Sequence, residues 1–357
     1  MPSLLERLPV PAQAGAIRAL YALPRSLRRL VAGKPIRIDG NELALDAQLL
    51  LRLQQLAKVP PLSDGEPVHA RASLAENHKL VSGPPIQPVD VREVTISPSI
   101  AGRLYTPAGL AEGSPLLVFF HGGGFVVGTL DSHDNICRFL AKQAEVRVLS
   151  VDYRLAPEHP FPTPVEDALT AFRFAHASAR SLGASPDAIA VGGDSAGGNL
   201  ATVVSWLTTR EGGPKPAFQL LFYPATDASK RYRSQELFTD GFFLTQDDMD
   251  WFMRHYAVHE EDKLDPRYSP LLAPDLSGLP PTYLATAGFD PLRDEGEAYA
   301  ERLKQAGVPV ILSRQADLIH GYANFIGIGT RFLQAMHEAA GALRTGLGIS
   351  ARESVLE

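Results

Sequence analysis

At 357 residues the chain exceeds what one ordinary hydrophobic core fills, which predicts one large domain with an accessory subdomain. Its 45% apolar and 21% charged residues exclude a disordered or fibrous chain, and a net charge of −6 leaves no electrostatic footprint for nucleic acid. The single cysteine, Cys137, cannot form an intrachain disulfide, which fits a reducing, cytoplasmic setting.

Residues 1–34 set Arg7, Arg18, Arg25, Arg28, Arg29 and Lys34 against one acid, Glu6. Pro9, Pro11 and Pro24 interrupt this stretch and no continuous apolar core follows it, so a cleaved signal peptide is not expected. Nowhere does an apolar run approach the length of about 20 that a membrane-spanning helix needs. Ile17, Leu20, Tyr21, Leu27, Leu30 and Val31 can share one face of short helices. The arm is read as packed on its own protein, with peripheral contact between its arginines and an anionic lipid surface as the alternative.

Leucines at 43, 49, 50, 53 and 56 recur at helical spacing, and the polar stretch 60–88 then breaks the pattern. Strands are predicted at 91–97, 102–106, 116–120, 146–151, 188–191 and 218–222, with helices at 132–142, 164–181 and 196–209. Such alternation calls for a mostly parallel sheet covered on both faces. It lapses over 227–275, where Phe238, Phe242, Phe243, Trp251, Phe252, Tyr256 and Tyr268 fall; this reads as an insertion that caps the carboxyl ends of the strands together with the N-terminal helices. Strands at 282–287 and 308–313 and helices at 295–305 and 331–343 complete the pattern. The chain thus divides into an arm with cap helices (1–89), a first core part (90–226), a cap insertion (227–275) and a second core part (276–357).

Ser195 lies in Gly193-Asp194-Ser195-Ala196-Gly197, directly after an apolar strand and before a helix. A nucleophile on a sharp strand-to-helix turn needs small neighbours, because a β-carbon at 193 or 197 would collide with the backbone that doubles back. His121-Gly122-Gly123-Gly124 also ends an apolar strand. Its glycines let backbone N–H groups approach a developing oxyanion, and the expected donors are Gly123, Gly124 and Ala196, each worth about 3 kcal/mol of barrier. A phosphate-binding loop is the rival reading, but no lysine follows at P-loop spacing. A serine hydroxyl needs a base, sought downstream in the order Ser, Asp, His. His320 sits in a loop past the last strand, whereas His337 falls inside a helix. Asp290 follows the strand 282–287 and precedes Pro291; Asp294 and Glu295 look like first-turn helix acids, and Asp227 like a structural carboxylate.

In these motifs the chain closely resembles the hormone-sensitive-lipase-like family of microbial esterases, in the branch whose nucleophile motif reads Gly-Asp-Ser-Ala-Gly. The resemblance runs from about Val91 to the C-terminus and includes His121-Gly122-Gly123-Gly124-Phe125, Asp152-Tyr153-Arg154-Leu155-Ala156-Pro157-Glu158, Asp290-Pro291-Leu292-Arg293-Asp294-Glu295 and His320-Gly321-Tyr322. It implies an α/β-hydrolase core with a helical cap, hydrolysis of short- to medium-chain acyl esters, no cofactor and no metal, and frequently a homodimer. By the same analogy, 153–162 is a structural turn network. The first forty or so residues have no counterpart in the family's motifs. Phe242 and Phe243 are expected either to line an apolar substrate pocket or to fill the core of the cap. Other readings stay open: a lipase, thioesterase or amidase on the same triad, or a non-catalytic ligand-binding protein on this fold, as in the plant hormone receptors that resemble the family and lack the base.

Overall fold

The structure, a computed structural model, describes residues 9–348. Arg7 and Glu6 of the basic arm lie outside the described residues. In chain order the elements are α1 (Val10–Tyr21), α2 (Arg25–Ala32), β1 (Arg37–Ile38), β2 (Asn41–Glu42), α3 (Leu45–Ala57), α4 (Pro67–Val81), β3 (Val89–Ser97), β4 (Ile100–Pro107), β5 (Ser114–Phe120), α5 (Asp134–Ala144), β6 (Arg147–Asp152), α6 (Thr163–Ala177), β7 (Ala184–Asp194) and α7 (Ala196–Glu211). There follow β8 (Gln219–Phe222), α8 (Arg233–Leu237), α9 (Gln246–Tyr256), β9 (Thr282–Phe289), α10 (Arg293–Gln305), β10 (Val310–Ile319) and α11 (Thr330–Gly346).

Eight strands form one sheet in the order β10-β9-β8-β7-β5-β6-β4-β3. The pairs from β6 through β10 are parallel, while β4 is antiparallel to both β3 and β6. Period-2 alternation explains how one strand serves two cores. Leu116, Val118 and Phe120 of β5 join the cluster formed with α6, α7 and α10, whereas Leu117 and Phe119 join the one formed with α5 and α11. Every apolar residue of β5 is fully buried, as a central parallel strand requires.

Two features differ from the sequence-based expectation. The polar stretch 60–88 contains α4, a helix whose only fully buried residues are Pro67 and Ala70, so it presents no broad apolar stripe to read. The last strand runs on to Ile319, because its polar residues are paired: Arg314 with Glu297 and Gln315 with Glu338. The N-terminal prolines divide the arm into short helices, as expected. Pro9 and Pro24 stand immediately before α1 and α2, and Pro11 lies in the first turn of α1, where the missing N–H had no intrahelical partner to lose.

Candidate active site

The carboxyl ends of β5, β7, β9 and β10 bring the predicted chemistry together. β7 ends at Asp194, α7 begins at Ala196, and Ser195 between them takes φ 55° and ψ −118°. Such a conformation costs of order 1–3 kcal/mol in a non-glycine residue and persists only where its surroundings hold it. Here the Ser195 N–H donates to the Phe222 carbonyl (2.9 Å), and the Ser195 carbonyl accepts from Asn199 (3.0 Å) and Ala225 (3.3 Å). The flanking glycines are required: a β-carbon at Gly193 would strike the Gly197 and Phe120 backbone, and one at Gly197 would strike the Phe120 carbonyl.

The Ser195 hydroxyl lies 3.0 Å from His320 Nε2, and His320 Nδ1 lies 2.8 Å from Asp290 Oδ2. Asp290 is fully buried; its other oxygen, Oδ1, accepts the Leu292 N–H at 2.8 Å, so both carboxylate oxygens have assigned donors. The Tyr223 ring packs against the imidazole at 4.7 Å between centroids. A neutral His320 with its proton on Nδ1 donates to Asp290 and offers Nε2 as the acceptor for the serine proton.

The glycine loop after β5 packs against the turn that carries Ser195, where a β-carbon on Gly122 would strike Asp194. Gly123 takes φ 118° and Gly124 φ 59°, and the Gly123 carbonyl faces inward, accepting from Val126 (3.0 Å) and Val127 (2.9 Å). Its peptide is thereby oriented. Among the described residues, the N–H groups of Gly123, Gly124 and Ala196 have no acceptor within the protein. The preceding peptide is held by Asp194, whose buried carboxylate accepts the Gly122 N–H (2.9 Å) and sits 3.2 Å from His133 Nε2. Burial raises the Asp194 carboxyl pKa, but His133 and the Gly122 N–H outweigh it and hold the value below the usual carboxylate range. His121 has the opposite fate: burial lowers it to about 3, so the ring is neutral, stacked on Tyr153 at 4.4 Å.

Two supports of this loop were not legible in the sequence. Arg71, on the unpredicted α4, donates to the carbonyls of Val126 and Ala156, both at 2.8 Å, and pairs with Glu158. Ala156 in turn donates to the Phe125 carbonyl at 2.9 Å. Phe252 of α9 covers the loop so closely that a β-carbon on Gly124 would overlap its ring.

The two predicted pocket aromatics are placed differently. Phe243, at φ 78°, lies against Gly321, next to the base; a β-carbon there would come within 2.8 Å of its ring. Phe242 packs edge-on to Phe238 and beside Phe289. The rejected candidates are otherwise engaged. Asp227 accepts from Ser229 and from the Tyr232 hydroxyl, Glu295 accepts from the Thr226 and Asp227 N–H groups, and His337 meets Phe139 edge-on.

The chain is similar in sequence and in fold to known ester hydrolases. A family model described as the alpha/beta hydrolase fold matches residues 117–324. The chain is 45% identical over 342 residues to the carboxylic ester hydrolase LipN of Mycobacterium tuberculosis, covering 93% of this chain and 90% of that one. It is 38% identical over 288 residues to an ethyl acetate hydrolase of Pseudomonas putida, covering 79% and 91%. Among solved structures, an ester hydrolase from the metagenome of Lake Arreo, complexed with a bipyridine phosphonate derivative, superposes with a TM-score of 0.81 at 40% identity, covering 86% of this chain and 99% of that one. A thermostable esterase from Pseudomonas putida gives 0.81 at 34% identity, covering 87% and 99%.

Proposed function

The chain belongs to the α/β-hydrolase family of hormone-sensitive-lipase-like carboxylic ester hydrolases, and from that premise we propose that it cleaves short- to medium-chain acyl esters through an acyl-enzyme on Ser195. The observation that carries the assignment is the unbroken relay from Asp290 through His320 to Ser195, with contacts of 2.8 and 3.0 Å.

Ser195 Oγ attacks the ester carbonyl while His320 Nε2 takes its proton. The carbonyl oxygen becomes an oxyanion held by the N–H groups of Gly123, Gly124 and Ala196; the last opens the sixteen-residue α7, whose positive end favours that charge. Asp290 stays ionised throughout and stabilises the imidazolium. His320 then protonates the departing alcohol. Water, deprotonated by the same histidine, attacks the acyl-enzyme and releases the acid.

The segment 227–275, which carries α8 and α9, acts with the N-terminal helices as the cap. Phe252 above Gly124 and Phe243 beside Gly321 flank the nucleophile and form the apolar wall against which a small ester lies. Phe242 belongs to the packing beneath that wall. Hydrolysis of p-nitrophenyl esters from acetyl to palmitoyl tests the reading. Turnover of the short chains that vanishes in Ser195→Ala and in His320→Ala supports it; no turnover on any chain by the folded protein moves the assignment to a ligand-binding role on this fold. A preference for thioesters or amides over matched oxygen esters assigns the same triad to another acyl group.

A further inference from the structure

The N-terminal arm is attached to the body the wrong way round for an ordinary surface helix. α2 turns two of its three arginines inward: Arg28 pairs with Asp46, and Arg29 donates to Gln48 at 2.8 Å. Gln48 itself ties down the end of the helix through the Ala32 and Lys34 carbonyls, and the Tyr21 hydroxyl donates to the Asp46 carbonyl. Val31 and Ala32 pack on the core, but the two leucines of the helix face out. Leu30 is 81% exposed and Leu27 47%, three residues apart on one face of α2, and Leu23, in the bend just before the helix, is 38% exposed. A surface helix ordinarily buries its leucines and solvates its arginines. Inverting that arrangement leaves leucines in water, held there by buried polar contacts.

The charge around these leucines says what covers them. From Pro9 to Ile38 the chain has six cations and no acid, although the whole protein carries a net charge of −6. Arg18 on α1, Arg25 at the start of α2 and Lys34 just past its end have no ion-pair partner among the described residues. Exposed leucines on a helix with unpaired Arg25 at its start and Lys34 just past its end match an anionic lipid surface, which takes apolar side chains below its headgroups and attracts lysine and arginine at them. A second copy of this chain would bring like charges together on the same patch. No helix among the described residues is long and apolar enough to cross a membrane.

We propose that α1 and α2 form a membrane-docking face that seats this hydrolase on anionic lipid through Leu23, Leu27 and Leu30, with Arg18, Arg25 and Lys34 engaging the headgroups. This is independent of which ester is cleaved. The test is co-sedimentation of the full chain with vesicles of phosphatidylcholine alone and of phosphatidylcholine mixed with phosphatidylglycerol. Each cation near an anionic surface contributes about fivefold to partitioning. The wild type is expected to pellet with the mixed vesicles only, and less so as salt is raised. Leu23→Ser/Leu27→Ser/Leu30→Ser and Arg18→Gln/Arg25→Gln/Lys34→Gln should each lower the bound fraction at least about tenfold, while both hydrolyse a water-soluble short ester at the wild-type rate, which shows that they fold. Failure of the wild type to pellet, or equal pelleting by both triple variants, overturns the proposal. So does a wild-type dimer by light scattering that the leucine variant dissolves without any vesicle binding, since the occupant would then be a second copy.

Discussion

Replacing Asp290 by asparagine tests the triad through a constraint that the structure itself imposes. The two oxygens of Asp290 are not equivalent: Oδ1 accepts the Leu292 N–H at 2.8 Å, and Oδ2 faces His320 Nδ1 at 2.8 Å. An asparagine must keep its oxygen toward the Leu292 N–H, because the amide NH₂ there would set donor against donor at a fully buried site. The NH₂ then points at His320 Nδ1 and forces that nitrogen to be the acceptor. The imidazole proton moves to Nε2, where it faces the Ser195 hydroxyl and cannot accept from it. The wrong tautomer costs about four decades of kcat in the well-known serine protease case, or about 5.4 kcal/mol. Asp290→Asn should therefore lose about 10⁴-fold in kcat on p-nitrophenyl acetate with KM little changed. Asp290→Ala, which imposes no tautomer, should lose less. Stopped-flow and steady-state rates on the three proteins decide it: a loss under tenfold for Asp290→Asn, or a larger loss for alanine than for asparagine, refutes the reasoning.

Asp194→Asn keeps the shape beneath the glycine loop but removes the charge that binds the Gly122 N–H and His133; charge-assisted bonds exceed neutral ones by about 1–1.5 kcal/mol, so kcat should fall about tenfold without loss of Ser195 labelling by an organophosphate. Gly124→Ala should reduce kcat sharply, since the new methyl overlaps Phe252; Phe252→Ala in the same chain should restore part of it, leaving only the strain at φ 59°, and a strictly additive double variant would contradict the contact. Glu295 is raised from 4.5 to about 8, chiefly by burial. The folded state therefore holds a proton that the unfolded chain has released between those values, and unfolding free energy should fall as pH rises through that window, by at most about 1.4 kcal/mol per pH unit. Urea titrations of wild type and Glu295→Gln from pH 5 to 9 should show that dependence flattened in the variant; parallel curves would refute it.

The parts legible in the sequence are those that backbone geometry dictates locally. A serine between glycines after an apolar strand can hardly be anything but a tight turn, and a search downstream of it in the order Ser, Asp, His led to Asp290 just after its strand and to His320 in a loop. What escaped depends on packing between distant segments. Arg71 was hidden because α4 buries little and so carries no apolar period, and its role exists only through carbonyls of 126 and 156. Phe252 meets Gly124 across 128 positions of chain, a contact that neither segment announces. Phe242 and Phe243 looked equivalent as neighbours, yet the left-handed backbone at Phe243 breaks any regular alternation and sends the two rings to different places. In the arm, periodicity revealed that α2 is two-faced, but only the pairing of Arg28 with Asp46 shows which face turns inward.

The central claim is a covalent acyl-enzyme on Ser195, and the most direct measurement is intact-protein mass spectrometry after acid quenching of the reaction with p-nitrophenyl acetate, followed by peptide mapping. One acetyl group per chain on the peptide containing Ser195, absent in Ser195→Ala and persistent in a variant slowed at deacylation, is the predicted result. Turnover with no adduct at any time, or an acetyl group on another side chain that also forms in Ser195→Ala, would contradict it.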